Sequence, residues 1–199
     1  MLEVFTTIMV LKDGPLFWKA HLGRLWQHAV LADIKYQSFE FPIGECLKLI
    51  KLSHKPFLLR ISLNQDGYTL GTRACEEAQT KPVKVFISDQ IVISNIKTNQ
   101  RAVYDEALRQ AQQHHAFEGL LLNQSGYVVD GSKSSLILRR KKTLISLAGG
   151  LCGITRQMIL QKAKLEGFEI AEDYLRPKDL KGELYLAGTG VGLVRCVCI

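Results

Sequence analysis

Short runs rich in β-branched residues dominate the chain, separated by turn residues and interrupted by a few stretches of helical period. VFTTIMVL at 4 to 11 reads as a strand, KDGP as a turn, and LFW at 16 to 18 as a short second strand. Between 18 and 33, Leu22, Leu25, Trp26, Ala29, Val30 and Ala32 recur at the spacing of an amphipathic helix. A second helix is expected over 43 to 53. FLLRISLN (57 to 64) and PVKVFIS (82 to 88) read as strands, with a polar, glycine-containing insert between them. These elements predict a small α/β domain over residues 1 to 87.

The second domain, 88 to 199, opens with IVISNIK, read as a strand that delivers Lys97 at its end. RAVYDEALRQAQQHHA has the period of a helix. EGLLLN, QSG and YVVD read as strand, turn and strand, and LILRRKKTLISL as a further hairpin. ITRQMILQKAKLEG reads as a helix with Gly167 past its end, because glycine enters the left-handed conformation at little cost. FEIAEDYL and ELYLAG complete the strands. The fold class expected is α+β, the larger domain being mixed, mainly antiparallel β structure with flanking helices.

Composition narrows the function. With 47% hydrophobic and 23% charged residues the chain is an ordinary globular one. Its net charge of +7 is scattered, and the single basic run, RRKK at 139 to 142, sits at a predicted hairpin tip. A solvated turn is therefore expected there rather than a nucleic-acid surface. Five cysteines form no regular framework, which fits buried thiols in a reducing cytoplasm. No apolar run reaches the ~18 residues of a membrane span, and MLEVFTTIMV lacks the features of a signal sequence. His114 and His115 have no ligand spacing to any cysteine, so no metal site is expected.

Three short stretches carry the chemistry: HLGRL at 21 to 25, IKTNQR at 96 to 101 and GITRQ at 153 to 157, with VVDGSKSSL at 128 to 136 between the last two. In this order they resemble the class IV aminotransferases, the pyridoxal-phosphate group of branched-chain and D-amino acid aminotransferases and aminodeoxychorismate lyase. The resemblance implies the two-domain D-amino acid aminotransferase-like architecture, with residues 88 to 199 as the cofactor-binding domain. It also implies a homodimer, with each pyridoxal 5′-phosphate held between the two domains.

Pyridoxal phosphate brings its own electron sink, and the protein supplies a Schiff-base lysine, a pyridine-nitrogen partner and a phosphate cradle. The resemblance assigns Lys97 to the first role. An apolar run before it predicts a partly desolvated amine, whose neutral form is accessible. Asp130 takes the place of the family's glutamate facing the pyridine nitrogen; one methylene shorter, it lengthens that contact by about an ångström or admits a water. Ser135 stands where the family has asparagine. A helix start offers free N–H groups to a phosphate. The resemblance carries that role to Gly153, Ile154 and Thr155, with the Thr155 hydroxyl, Arg24 from HLGRL and Thr189 from the GTG at 188 to 190. His21 matches the family's helix histidine and reads as structural.

Against the family pattern the chain is short at both ends, beginning at VFTT and stopping four residues after Arg195. FTT at 5 to 7 and IKTNQR resemble aminodeoxychorismate lyase more than branched-chain aminotransferases. The expected reaction is elimination of pyruvate from aminodeoxychorismate to give 4-aminobenzoate for folate, with Lys97 moving protons and the Thr7 hydroxyl near the departing side chain. Two alternatives stand beside it. One is a branched-chain or D-amino acid aminotransferase acting on another small amino compound. The other is a relative that binds the cofactor or an anion without turnover, for which Asp130, Ser135 and the missing opening strand argue.

Overall fold

In a computed structural model, the structure describes residues 1–35, 43–52, 55–75 and 78–199. Two compact units divide the chain: Met1–Glu77 with Ile96–Gln100, and Ala78–Asn95 with Arg101–Ile199. This differs from a single boundary after residue 87, and strand pairing is the reason.

The first unit is built on β1 (Val4–Leu11), a two-residue β2 (Gly14–Pro15), α1 (Trp18–Leu31), α2 (Ile43–Leu52), β3 (Phe57–Asn64) and β4 (Gly67–Ala74). The strands form one sheet in the order β2-β1-β3-β4. LFW is not a strand: the pairing ends at Pro15, and α1 has begun by Trp18. The residue expected to end α2, Ser53, lies outside the described residues. The polar insert after β3 is β4, whose mostly exposed residues hide it from a hydrophobic pattern. Alternation along β1 and β3 sends Val4, Ile8 and Val10, with Leu59, Ile61 and Leu63, into one core against Leu25 and Ala29 of α1. Each such side chain contributes roughly 1.5–3 kcal/mol by leaving water.

The buried face of α1 is not the stripe the apolar residues predict. Val30 is 77% exposed, whereas His21, Arg24 and His28 are buried beside Leu25 and Ala29. Spacings of three and four residues place these three polar side chains on one helix face. Such a face is stable only where hydrogen-bond partners meet it.

The second unit contains β5 (Val83–Ile91), α3 (Ala102–Gln113), β6 (Glu118–Leu122), β7 (Val128–Gly131), β8 (Ser135–Arg140), β9 (Thr143–Leu147), α4 (Ile154–Leu165), β10 (Glu169–Asp173), β11 (Glu183–Gly188) and β12 (Gly192–Cys198). Its eight strands run β10-β9-β8-β11-β12-β5-β6-β7, in mixed parallel and antiparallel pairing. β5 lies parallel to both β12 and β6, so it belongs to this sheet and not to the smaller unit. An antiparallel bridge from Val128 to Leu175 joins the two ends, and the sheet curls on itself.

Both faces of this sheet are covered. Along β8, Leu136 and Leu138 point into the curled interior, while Ile137 meets Leu160 and Ala163 of α4 on the outside. On β6, Leu120 faces the interior and Leu121 faces α3. RRKK forms the β8–β9 tip as expected, with Lys141 at φ 55°. His114 ends α3 and stacks on Phe86, ring centroids 4.1 Å apart.

Candidate active site

In the first unit the site residues gather on and around α1. IVISNIK does not continue as a strand: β5 ends at Ile91, and Lys97 is held by the first unit instead. The Phe5 N–H donates to the Lys97 carbonyl (3.1 Å), Val4 bridges Thr98, and the Asn99 N–H donates to the Glu3 carbonyl (3.0 Å). Residues 97–99 thus lie antiparallel to the start of β1. The Lys97 N–H donates to His28 Nδ1 at 2.9 Å, and its ammonium sits 4.7 Å from the centre of the Phe5 ring.

Beside it runs a buried polar chain. Arg24 Nη2 donates to Thr6 Oγ1 (3.2 Å), and Thr6 Oγ1 lies 2.8 Å from His21 Nδ1. A guanidinium can only donate. The Thr6 oxygen therefore accepts from Arg24, and the same hydroxyl is hydrogen-bonded to His21 Nδ1. Burial, then the charges of Arg24 and Lys97, push the His21 pKa down to about 3 and that of His28 down to about 4. Two neutral imidazoles and two cations thus share one region, which favours an incoming anion.

Thr7 lies on the opposite face of β1 from Thr6. It is paired in register with Arg60, whose guanidinium stands 3.7 Å over the Phe5 ring. Phe5, Thr7 and Arg60 therefore share a sheet face.

In the second unit, α4 begins at Gly153, which is extended (φ −69°, ψ 122°) and has no side chain to cap the first turn. A Cβ on Gly153 would come within 2.7 Å of Ser135 Oγ, so a larger residue there would require the serine hydroxyl to turn away from the helix start. The Thr155 and Thr189 hydroxyls are 3.3 Å apart beside that start. Uncapped N–H groups of Ile154 and Thr155 plus two hydroxyls make a donor set suited to a phosphate.

Asp130 is buried on β7 at 3% exposure, and its charge, after burial itself, helps push the Tyr104 phenol up to about 12. Glycine at 150 brings the chain against this strand: a Cβ there would clash with the Val129 carbonyl at 2.1 Å and meet Asp130 Cβ at 3.4 Å.

The turn from Asp130 to Ser135 is organised by a residue the sequence pattern does not flag. Glu118, fully buried, accepts from the N–H groups of Lys133 (3.0 Å) and Ser134 (3.1 Å) and from Ser134 Oγ (2.9 Å). Burial raises its pKa despite these bonds. Arg101 adds a bond from Nη2 to the Ser132 carbonyl at 2.8 Å. An acid at the head of the apolar run EGLLL is the one local signal that marks Glu118. Among the described residues no cluster of His, Cys, Asp or Glu is arranged to hold a metal, and no helix is long and apolar enough to cross a membrane.

Fold and site together define an α+β protein of the fold-type IV pyridoxal-phosphate class, the D-amino acid aminotransferase-like architecture. The sequence model of the family "Amino-transferase class IV" matches residues 3–199, and the chain belongs to that family. A solved structure provisionally named 4-amino-4-deoxychorismate lyase is 33% identical, covers 98% of this chain and 83% of its own, and superposes with a TM-score of 0.92. A branched-chain amino acid aminotransferase from T.th., solved with pyridoxamine 5′-phosphate, shares the fold at 21% identity and a TM-score of 0.86, over 99% of this chain and 76% of its own. A protein of Methanocaldococcus jannaschii, provisionally named a branched-chain-amino-acid aminotransferase, is 34% identical over 82 residues. That stretch is 39% of this chain and only 28% of the relative's length.

Pyridoxal 5′-phosphate is the cofactor of this family. Each unit by itself carries groups that suit it: in the second, an uncapped helix start with paired hydroxyls and a buried carboxylate on β7; in the first, a lysine whose main chain is held by β1 and His28.

Proposed function

We propose that the chain is a pyridoxal-phosphate enzyme acting on a small amino compound, with the activity of an aminodeoxychorismate lyase. The observation that carries the choice of reaction is the 33% identity over 98% of the chain to the structure bearing that provisional name. The cofactor supplies an aldehyde that joins an amine and a ring that accepts the electrons of a deprotonated substrate.

Lys97 binds that aldehyde through Nζ, then holds and returns the proton of the substrate's reacting carbon. Asp130 keeps a proton on the pyridine nitrogen. Ile154 and Thr155, through their N–H groups, and Thr155, Thr189 and Arg24, through side chains, bind the phosphate. Gly153 and Ser135 set where the helix start stands, and Thr7 offers a hydroxyl to the departing pyruvate portion. The proposed assembly is a homodimer, and five free cysteines support a reducing, cytoplasmic setting.

A second reading, amino-group transfer to a keto acid, rests on the likeness to the Methanocaldococcus protein. The test supplies cofactor and assays two reactions. Release of 4-aminobenzoate and pyruvate from aminodeoxychorismate supports the lyase. Keto-acid formation from branched-chain or D-amino acids, without 4-aminobenzoate, supports the transferase. Borohydride reduction with cofactor present should tag the peptide containing Lys97, and a tag on Lys133 alone ends the assignment.

A further inference from the structure

We infer that His28 is a positioning residue for Lys97: its imidazole holds the lysine's own peptide N–H and thereby sets where the side chain starts and points. This inference rests on the reading of Lys97 as the lysine that joins the cofactor.

Three observations carry it. First, the Lys97 N–H donates to His28 Nδ1 at 2.9 Å, a contact bridging 69 residues of sequence. Second, the segment from 97 to 99 is tied to β1 by the Lys97 carbonyl and by Asn99, so His28 supplies the acceptor that β1 does not. The main chain of Lys97 is then fixed on both sides of its Cα. A lysine side chain has four rotatable bonds, and fixing their origin is the main means of narrowing where the amine goes. Third, His28 is 5% exposed on the α1 face that also carries Arg24, so the imidazole is itself locked by packing.

Nδ1 can accept only in the neutral ring with its proton on Nε2. Burial and the nearby charges of Arg24 and Lys97 keep it so. The hold on Lys97 therefore persists through the whole neutral range. The histidine touches no reacting atom in this arrangement; it acts through the lysine.

Two variants test the inference. In His28→Asn the side-chain oxygen reaches the position of Nδ1 and still accepts, whereas His28→Leu fills the space without an acceptor. Amide hydrogen exchange in the cofactor-free chain reads the bond directly. A hydrogen bond of ordinary strength corresponds to roughly a two- to tenfold change in opening, so His28→Leu should speed exchange at Lys97 by about that factor. The amides of Phe5 and Asn99 should keep their rates, and His28→Asn should restore protection.

With cofactor, His28→Leu should slow borohydride-trapped attachment to Lys97 about tenfold, the factor equivalent to ~1.4 kcal/mol of barrier. Binding of 4′-deoxypyridoxine 5′-phosphate, which has no aldehyde, should stay within about twofold, because a change that small is under ~0.5 kcal/mol. Unchanged exchange at Lys97 in His28→Leu overturns the inference. So does equal acceleration at Phe5, Lys97 and Asn99, which marks general loosening. A tag on some other lysine in the unmutated chain overturns the role of Lys97 instead, and the exchange experiment still decides whether His28 holds its peptide.

Discussion

The Thr6 hydroxyl accepts a hydrogen bond from Arg24 at 3.2 Å, and both residues are buried. Because the same hydroxyl is hydrogen-bonded to His21 Nδ1 at 2.8 Å, one oxygen orients both a cation and a neutral ring. Thr6 therefore holds the buried polar face of α1 in place.

Thr6→Val keeps the shape of the side chain and removes both bonds. It leaves a buried guanidinium and a buried imidazole each short of a partner, which costs about 1–3 kcal/mol. Urea unfolding should show that loss, and Thr6→Ser, which keeps the hydroxyl, should recover most of it.

Arg24→Ala should weaken cofactor binding at least about tenfold, since a bond to a charged group is worth ~1.5–3 kcal/mol. Thr155→Val and Thr189→Ala should each weaken it less. Their hydroxyls are 3.3 Å apart, so the double variant should fall short of the product of the two effects. Fluorescence or absorbance titration with pyridoxal phosphate gives these affinities, and an unchanged affinity in Arg24→Ala removes Arg24 from the phosphate site.

Asp130→Asn should fold and keep much of the cofactor, because phosphate and lysine contacts remain. Turnover should fall sharply, since a neutral partner no longer favours the protonated ring. Asp130→Glu restores the family's residue at a buried position and should keep turnover, because the acid that favours the protonated ring is retained. Activity that survives intact in Asp130→Asn would rule out pairing with the ring nitrogen.

Acid should destabilise the fold through the histidines. The pKa values of His21 and His28 lie near 3 and 4 in the folded chain, against 6.5 in the unfolded chain. Between those limits the unfolded chain binds more protons, so stability falls as pH drops from 6.5 towards 4. Glu118 acts in the opposite sense, because its raised pKa lets the folded chain take up a proton first. Comparing His28→Asn with the unmutated chain cancels that contribution. The variant should lose less stability between about pH 7 and pH 4.5 in urea titrations, and equal losses would show that His28 titrates normally.

Much of this is legible in the sequence for physical reasons. β1, β3, β8 and β9 bury most of their side chains and are β-branched or leucine-rich, so their pattern speaks directly. β4 is hidden because an edge strand with exposed side chains has no apolar signature. The segment before Lys97 reads as strand because IVISNI is apolar, yet Ile93 is 83% exposed and Lys97 takes its main-chain partners from Phe5 and His28. The polar face of α1 is obscured for the converse reason. Hydrophobic period selects Val30, whereas burial selects His28, and only the tertiary partners decide between them.

The residues that complete the first unit, 96 to 100, are translated after β5 of the second. A ribosome that has released only the first 77 residues has therefore made a sheet and its helices but not the strap bearing Lys97, nor the acceptor carbonyl for the Phe5 amide. Each unit is entered twice by the chain, so no single proteolytic nick or gene truncation separates them as intact pieces. A split version cut within residues 92 to 95 would leave the lysine on one fragment and the histidine that holds its peptide on the other, making that contact dependent on fragment reassociation.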